Sequence, residues 1–261
     1  MKIAITGKGG VGKSTLAGVL AHLARRDGHR VLAVDADPDA NLAAALGIPD
    51  DERRQIIPIA ARTELIEERT GAKLKEFGQI FKLNPDISDV ADRFGYDFGG
   101  IHVLVLGAIE AGGSGCACPE NVFLRNLLTH IVLRRDEFVI MDMEAGIEHL
   151  GRGTARGVDM MVVVAEPTLQ SVDTCLTITR LAEQIGVHCF GYAGNKIISP
   201  DDERYLLERL PRDRILGFIP HSPQVGLAHR EGTSLFEKMD GDLRRAFGTI
   251  YGRILSQQKQ G

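Results

Sequence analysis

Short runs of branched apolar residues recur along this 261-residue chain, each giving way to glycines or acids and then to apolar positions three or four apart. Lys2-Ile3-Ala4-Ile5-Thr6 reads as a buried strand, and Ser14 to Arg26 as a helix with Leu16, Val19, Leu20 and Leu23 on one face. Arg30 to Val34, Ile101 to Leu106 and Glu137 to Asp142 repeat the strand pattern. Such strands, separated by helices, predict an α/β domain with a doubly wound, mostly parallel sheet flanked by helices. The spacing fits a single domain over 1–261. Residues 51–99 break the rhythm, with many charges and a helical stretch around Arg62 to Arg69, and are read as a surface helical insertion. Such a segment either offers a partner a place to dock or covers one sheet face. Near the end, Leu243, Ala246, Phe247, Ile250, Tyr251 and Ile254 fall at helical spacing. Docking on the core is the preferred reading, although a helix with Arg244, Arg245 and Arg253 also suits a membrane surface.

Composition narrows the classes. With 44% apolar residues the chain can bury a large core, and no apolar run reaches the ~20 residues of a membrane span. A cytoplasmic protein, neither secreted nor integral, is expected. The net charge of -4 argues against nucleic acid as a partner.

Gly7-Lys8-Gly9-Gly10-Val11-Gly12-Lys13-Ser14 fits the phosphate-binding pattern G-x-x-x-x-G-K-[ST] between a strand and a helix. Glycines let the backbone approach an anion, and the helix N-terminus favours negative charge there. Gly9, Gly10, Val11, Gly12, Lys13, Ser14 and Thr15 are therefore candidates to cradle ATP or ADP. Lys13 is placed against the terminal phosphates, and the Ser14 hydroxyl in a Mg2+ shell. Lys8, on the outer bend, points away from the phosphates that its own loop encloses. Such a cation is either idle in solvent or directed at a nucleotide on another subunit, as an arginine finger is.

Acids follow two strands at their carboxyl ends. Asp35, Asp37 and Asp39 could hold metal-bound water, orient an attacking water or cap the helix near Asn41. Asp142 ends the later strand in a Walker B pattern and is the second candidate Mg2+ ligand, with Glu144 and Gly146 beyond it. Asn195 carries both a donor and an acceptor, as an adenine edge requires, and Pro220 could pack beside the base. The alternative for Asn195 is a turn residue.

The string K-G-G-V-G-K-S resembles the deviant Walker A motif of the dimeric ATPases of the MinD, nitrogenase iron protein, ArsA and ParA group. The resemblance implies that Lys8 reaches the partner's nucleotide in a homodimer. It also implies that Asp37, in V-D-A-D-P, activates water, and that Asn195 reads adenine.

Gly112-Gly113-Ser114-Gly115-Cys116-Ala117-Cys118-Pro119 adds a second chemistry. Thiols two positions apart project to one side of an extended segment and can meet one soft metal. Pro119 suits the first position of a helix, which puts Cys118 at its N-cap, where a lowered thiol pKa is expected. The other two cysteines, Cys175 and Cys189, read as core residues. Two thiolates leave a four-coordinate site half made, and a two-fold dimer would complete it. The strings G-G-S-x-C-x-C, M-D-M-x-A-G-I-E-H-L and R-G-T-A resemble the CooC-type ATPases that mature the nickel-iron-sulfur cluster of carbon monoxide dehydrogenase. This resemblance implies Ni2+ as the cargo, with Zn2+ a possible substitute, and carbon monoxide dehydrogenase as the client. The competing reading is a positioning switch of the MinD type that binds membrane or a partner and carries no metal.

Overall fold

A computed structural model describes residues 1–74, 79–107, 118–145, 152–155 and 157–257. Cys116 and Gly146 lie outside the described residues, as does the whole glycine run Gly112 to Gly115 before Cys116. Within them the apolar runs become β1 (Lys2–Gly7), β2 (Val31–Ala36), β3 (Tyr96–Phe98), β4 (Ile101–Val105), β5 (Phe138–Met143), β6 (Met160–Ala165), β7 (Phe190–Ile197) and β8 (Ile215–Pro220). They form one sheet in the order β3-β4-β2-β5-β1-β6-β7-β8. Every neighbouring pair is parallel except β3 with β4, which is antiparallel at the edge.

Side chains alternate between the two faces, and each face has its own core. Ala4, Leu32, Val34, Met141 and Val163 face the helices Pro119–Arg134 and Leu169–Ile185. Ile3, Ile5, Ala33, Ile140 and Val162 face α1 (Lys13–Arg26) and the terminal helix Gly241–Gln257. Because both faces are covered, the central strands carry no polar stripe: β5 and β6 are buried at every position.

The terminal helix settles how its apolar face is used. Leu243, Phe247, Ile250, Tyr251 and Ile254 are all buried, and Arg253 donates to the Ile215 carbonyl at 2.9 Å. From segment 51–99, Ile59, Ile66 and Val90 are fully buried in the first core, beside the helix Pro119–Arg134. No helix among the described residues is long and apolar enough to cross a membrane. Of the two single cysteines, Cys175 is fully buried as expected, whereas Cys189 is half-buried, its thiol 3.8 Å from the Gln257 amide. Its place before the first residue of β7, at a sheet end, leaves it beyond the closed core.

Candidate functional site

All seven parallel strands point their carboxyl ends the same way, and the loops leaving β1, β2, β5, β6 and β7 converge there. The loop after β1 is built on backbone that favours glycine: Gly10 has φ 73° and Gly12 has φ 103° at the N-cap of α1. A Cβ at Gly12 would run into the Asn195 amide, so the close fit of loop against β7 also requires glycine.

Two hollows adjoin on this surface. One, of about 500 Å³, lies among Gly9, Gly12, Lys13, Ser14, Asp37 and Glu144. The other, of about 400 Å³, lies among Leu16, Asn195, Ile219, Pro220, Val225 and Phe247. Gly10, Gly12, Thr15 and His229 line both, so the two form one path past the first turn of α1. The first hollow brings the glycine-loop backbone together with Lys13 and Ser14 and suits phosphates. The second is mainly apolar and suits a base.

Three buried carboxylates gather at the phosphate end. Asp35 and Asp142 are paired in register across β2 and β5, and neither is exposed at all. Asp35 accepts from the Asp37 N–H at 3.2 Å and from the Leu42 N–H at 2.8 Å, so it ties the turn to the start of α2 (Leu42–Leu46). One of the three acids therefore does serve a helix start. Burial, helped by the charge of Asp142, pushes Asp35 up to about 7. Burial likewise pushes Asp142 up to about 6, while the Ser14 hydroxyl and Lys13 pull the other way. Among the described residues, neither Asp142 oxygen has a well-formed hydrogen bond. The nearly buried Lys13 ammonium stands 3.4 Å from the Asp37 carboxylate.

A carboxylate this deep without full partners is costly unless a cation or proton meets it. Asp142, with the Ser14 hydroxyl beside it, therefore fits a Mg2+ ion by its donor chemistry. At the base end, the Asn195 amide donates to the Val11 carbonyl at 2.7 Å, so one of its N–H groups braces the loop. Asn195 is not in a turn; it lies in β7, where the pairing with β8 is irregular.

These features are those of a nucleotide site on a P-loop, and the family model for the CobQ/CobB/MinD/ParA nucleotide-binding domain matches residues 2–235. The chain belongs to the CobQ/CobB/MinD/ParA family. Within it, the chain is 45% identical over 237 residues to the carbon monoxide dehydrogenase accessory protein CooC of Rhodospirillum rubrum, covering 91% of this chain and 90% of that one. It is 47% identical over 229 residues to an uncharacterized ATP-binding protein of Methanocaldococcus jannaschii, covering 86% and 87%. In structure it resembles the septum site-determining protein MinD of Pyrococcus horikoshii, solved with Mg-ADP, with a TM-score of 0.65 over 97% of this chain and 95% of that one. At 21% identity that likeness speaks for the fold. As a CobQ/CobB/MinD/ParA protein of CooC type, the chain is an ATPase.

The outer side of this family's loop holds what sequence reasoning missed. Lys8 does not line the phosphate hollow; it donates to the Gln170 Oε1 at 3.0 Å and lies 3.9 Å from Glu166. Lys196 donates to Glu166 at 2.9 Å and to the Gly10 carbonyl at 2.9 Å. A signal was present, since Glu166 stands directly after the apolar run Met160 to Ala165, at a strand's carboxyl end.

Cys118 is the N-cap of the helix Pro119–Arg134, as its proline implied. The expectation of a lowered thiol pKa is corrected: burial, with Glu120 alongside, pushes Cys118 up, and the Asn121 N–H only partly offsets this.

Proposed function

We propose that this chain is an ATP-driven metallochaperone that carries nickel to a carbon monoxide dehydrogenase. The observation that carries the reading is the 45% identity with a CooC accessory protein across 91% of the chain, in a sequence that has the Cys116-Ala117-Cys118 pair. Polyphosphate would lie along Gly9 to Thr15, with the base between Asn195 and Pro220. Ser14 and Asp142 would hold Mg2+. That ion would neutralise charge building on the phosphates during transfer.

The chain's own residues do the rest. Lys13, paired with Asp37 at 3.4 Å, has a competing anion once triphosphate enters. Drawing Lys13 onto the phosphates frees Asp37 to orient the attacking water. Asp35 keeps Asp37 in place through its bonds to the Asp37 and Leu42 N–H groups. Lys8 from a second copy would complete the charge balance, so hydrolysis would need a homodimer. In that dimer Cys116 and Cys118 of both chains would supply four thiolates to one Ni2+, and Zn2+ would suit the same donors in a tetrahedral arrangement. Closure by ATP and affinity for metal then become linked quantities.

Metal titration with and without ATP, read by absorbance and by mass in solution, tests this reading. Half an equivalent of nickel per chain and a dimeric mass are expected. Stoichiometric nickel binding that survives Cys116→Ala with Cys118→Ala overturns it. Lys8→Ala is expected to bind nucleotide yet lose hydrolysis, and near-normal turnover in that variant would remove the trans role.

A further inference from the structure

Glu166, the first residue past β6, stands between two ammonium groups. Its side chain is 17% exposed, with Lys196 at 2.9 Å and Lys8 at 3.9 Å. Its backbone cannot swing away, because the Glu166 N–H donates to the Ser171 hydroxyl at 3.0 Å and its carbonyl accepts from the Thr168 N–H at 2.7 Å. Lys196 is fixed as firmly. Its φ of 58° is uncommon for a residue with a side chain, and its ammonium bridges Glu166 and the Gly10 carbonyl. Lys8 has the looser attachment of the two lysines, with a longer approach to Glu166 and one bond to Gln170, although its side chain is 36% exposed against 44% for Lys196.

We propose that Glu166 and Lys196 are positioning residues for Lys8: Glu166 holds it on its own chain, and Lys196, sharing that carboxylate, keeps the hold weak enough for a partner's nucleotide to take it. This rests on the trans role of Lys8 in the proposed function. The physical point is the second lysine. Removing the only partner of a part-buried carboxylate strands a charge and is costly. Here Lys196 stays, so Lys8 can leave without stranding Glu166. Lys196 also grips the phosphate loop, so the clasp stays in register with the loop that Lys8 departs from. Glu166 sets the hold and Lys196 weakens it.

Opposite substitutions should therefore act in opposite directions. With Mg2+ and a non-hydrolysable ATP analogue at saturation, sedimentation of the full chain reads dimer affinity. Glu166→Gln keeps the shape and removes the charge, and should tighten the dimer about two- to five-fold, the range for a partly exposed ion pair. Lys196→Met should weaken it by a similar factor, and the double variant should follow Glu166→Gln. Gln170→Ala gives an independent release and should act like Glu166→Gln. In a Lys8→Ala background each effect should vanish. Unchanged or weaker dimerisation in both Glu166→Gln and Gln170→Ala, or tightening that persists without Lys8, overturns the inference. A merely structural role would lower thermal stability and nucleotide affinity without tightening any dimer. If Lys8→Ala itself dimerises and turns over normally, the trans role falls. If Lys8→Ala is inactive while Glu166→Gln and Gln170→Ala are neutral, this inference alone falls.

Discussion

Asp35 and Asp142 stand side by side at the carboxyl ends of adjacent parallel strands, both fully shut off from solvent. Burial is the main cost of charging either acid, and Asp35 also feels the charge of Asp142. Without a metal the pair is a stability penalty maintained for chemistry. Asp35 offsets its share through two backbone N–H groups; Asp142 has no comparable partners among the described residues.

Asp142→Asn should therefore split stability from function. Melting of the nucleotide-free protein is expected to rise, because a buried like-charge contact is gone. Stabilisation by ATP with Mg2+ should largely disappear, and hydrolysis should fall by about two orders of magnitude, the scale of losing one preorganised electrostatic contact. Calorimetry with and without Mg-ATP, alongside a phosphate-release assay, checks both halves. A variant less stable without nucleotide would contradict the assignment of Asp142 as an under-partnered carboxylate.

The strands and the loop were legible because their signals are local. β1, β2 and β5 are apolar at consecutive positions, and the glycines of the loop sit within six residues of one another. The edge strand Tyr96–Phe98 was not legible: three residues give no period, and only its antiparallel pairing with β4 makes it a strand. The clasp on Lys8 was hidden for a topological reason. Gln170 is 162 positions away and Lys196 meets Gly10 across 186, and they come together because β6 lies between β1 and β7. The direction of the Cys118 shift was misjudged from the helix N-terminus alone. Burial of the thiol is the larger effect and cannot be read from the position of Pro119, whereas the charge of Glu120, the next residue in the chain, could have been.

His22 gives the fold an acid-sensitive joint. It lies on α1, stacked on Phe236 at 5.0 Å with the rings 13° apart, and its Nε2 is 2.9 Å from the Leu46 carbonyl. Burial lowers its pKa below the ordinary 6.5, although the Leu46 carbonyl and Glu237 oppose this. A lowered folded pKa means that the unfolded chain binds the extra proton first. Stability from this group is therefore present above pH 6.5 and lost as the pH falls below it. Asp35 and Asp142, pushed up by burial, gain stability as the pH falls below about 7, so the His22 share is read against His22→Gln. The melting temperature of that variant should gain on that of the unsubstituted chain between about pH 7.5 and 5.5, as part of the acid-side histidine loss is removed. His130, lowered mainly by burial as well, should leave part of it. An identical slope in His22→Gln would rule out His22 as the titrating joint.

The terminal helix should not bring this protein to lipid. Five apolar residues that a membrane would need are already packed on β8 and α1, and Phe247 is only 1% exposed. Flotation with anionic vesicles and ATP should leave the chain at the bottom of the gradient. Phe247→Ala should cost about 3–5 kcal/mol of stability by opening a cavity, which a helix lying on the surface would not lose. ATP-dependent flotation would revive the positioning-switch reading in place of metal delivery.

Asn195 is placed to do two jobs, and one substitution can separate them. Its amide nitrogen donates to Val11 O at 2.7 Å, and its side chain fills the space that a Cβ on Gly12 would need. The amide also borders the hollow that suits a base. Asn195→Asp keeps the size but replaces the donor with an oxygen facing the Val11 carbonyl, an arrangement costly for a partly buried pair. Affinity for ATP should fall about ten-fold, since an unpaired acceptor of this kind costs ~1–3 kcal/mol. Preference for ATP over GTP should fall too, because a carboxylate cannot present both the donor and the acceptor that the adenine edge needs. Competition of ATP and GTP for a fluorescent nucleotide measures both. If affinity falls while the ATP-to-GTP ratio holds, Asn195 braces the loop and reads no base. If both hold, the Val11 bond has no part in shaping the site.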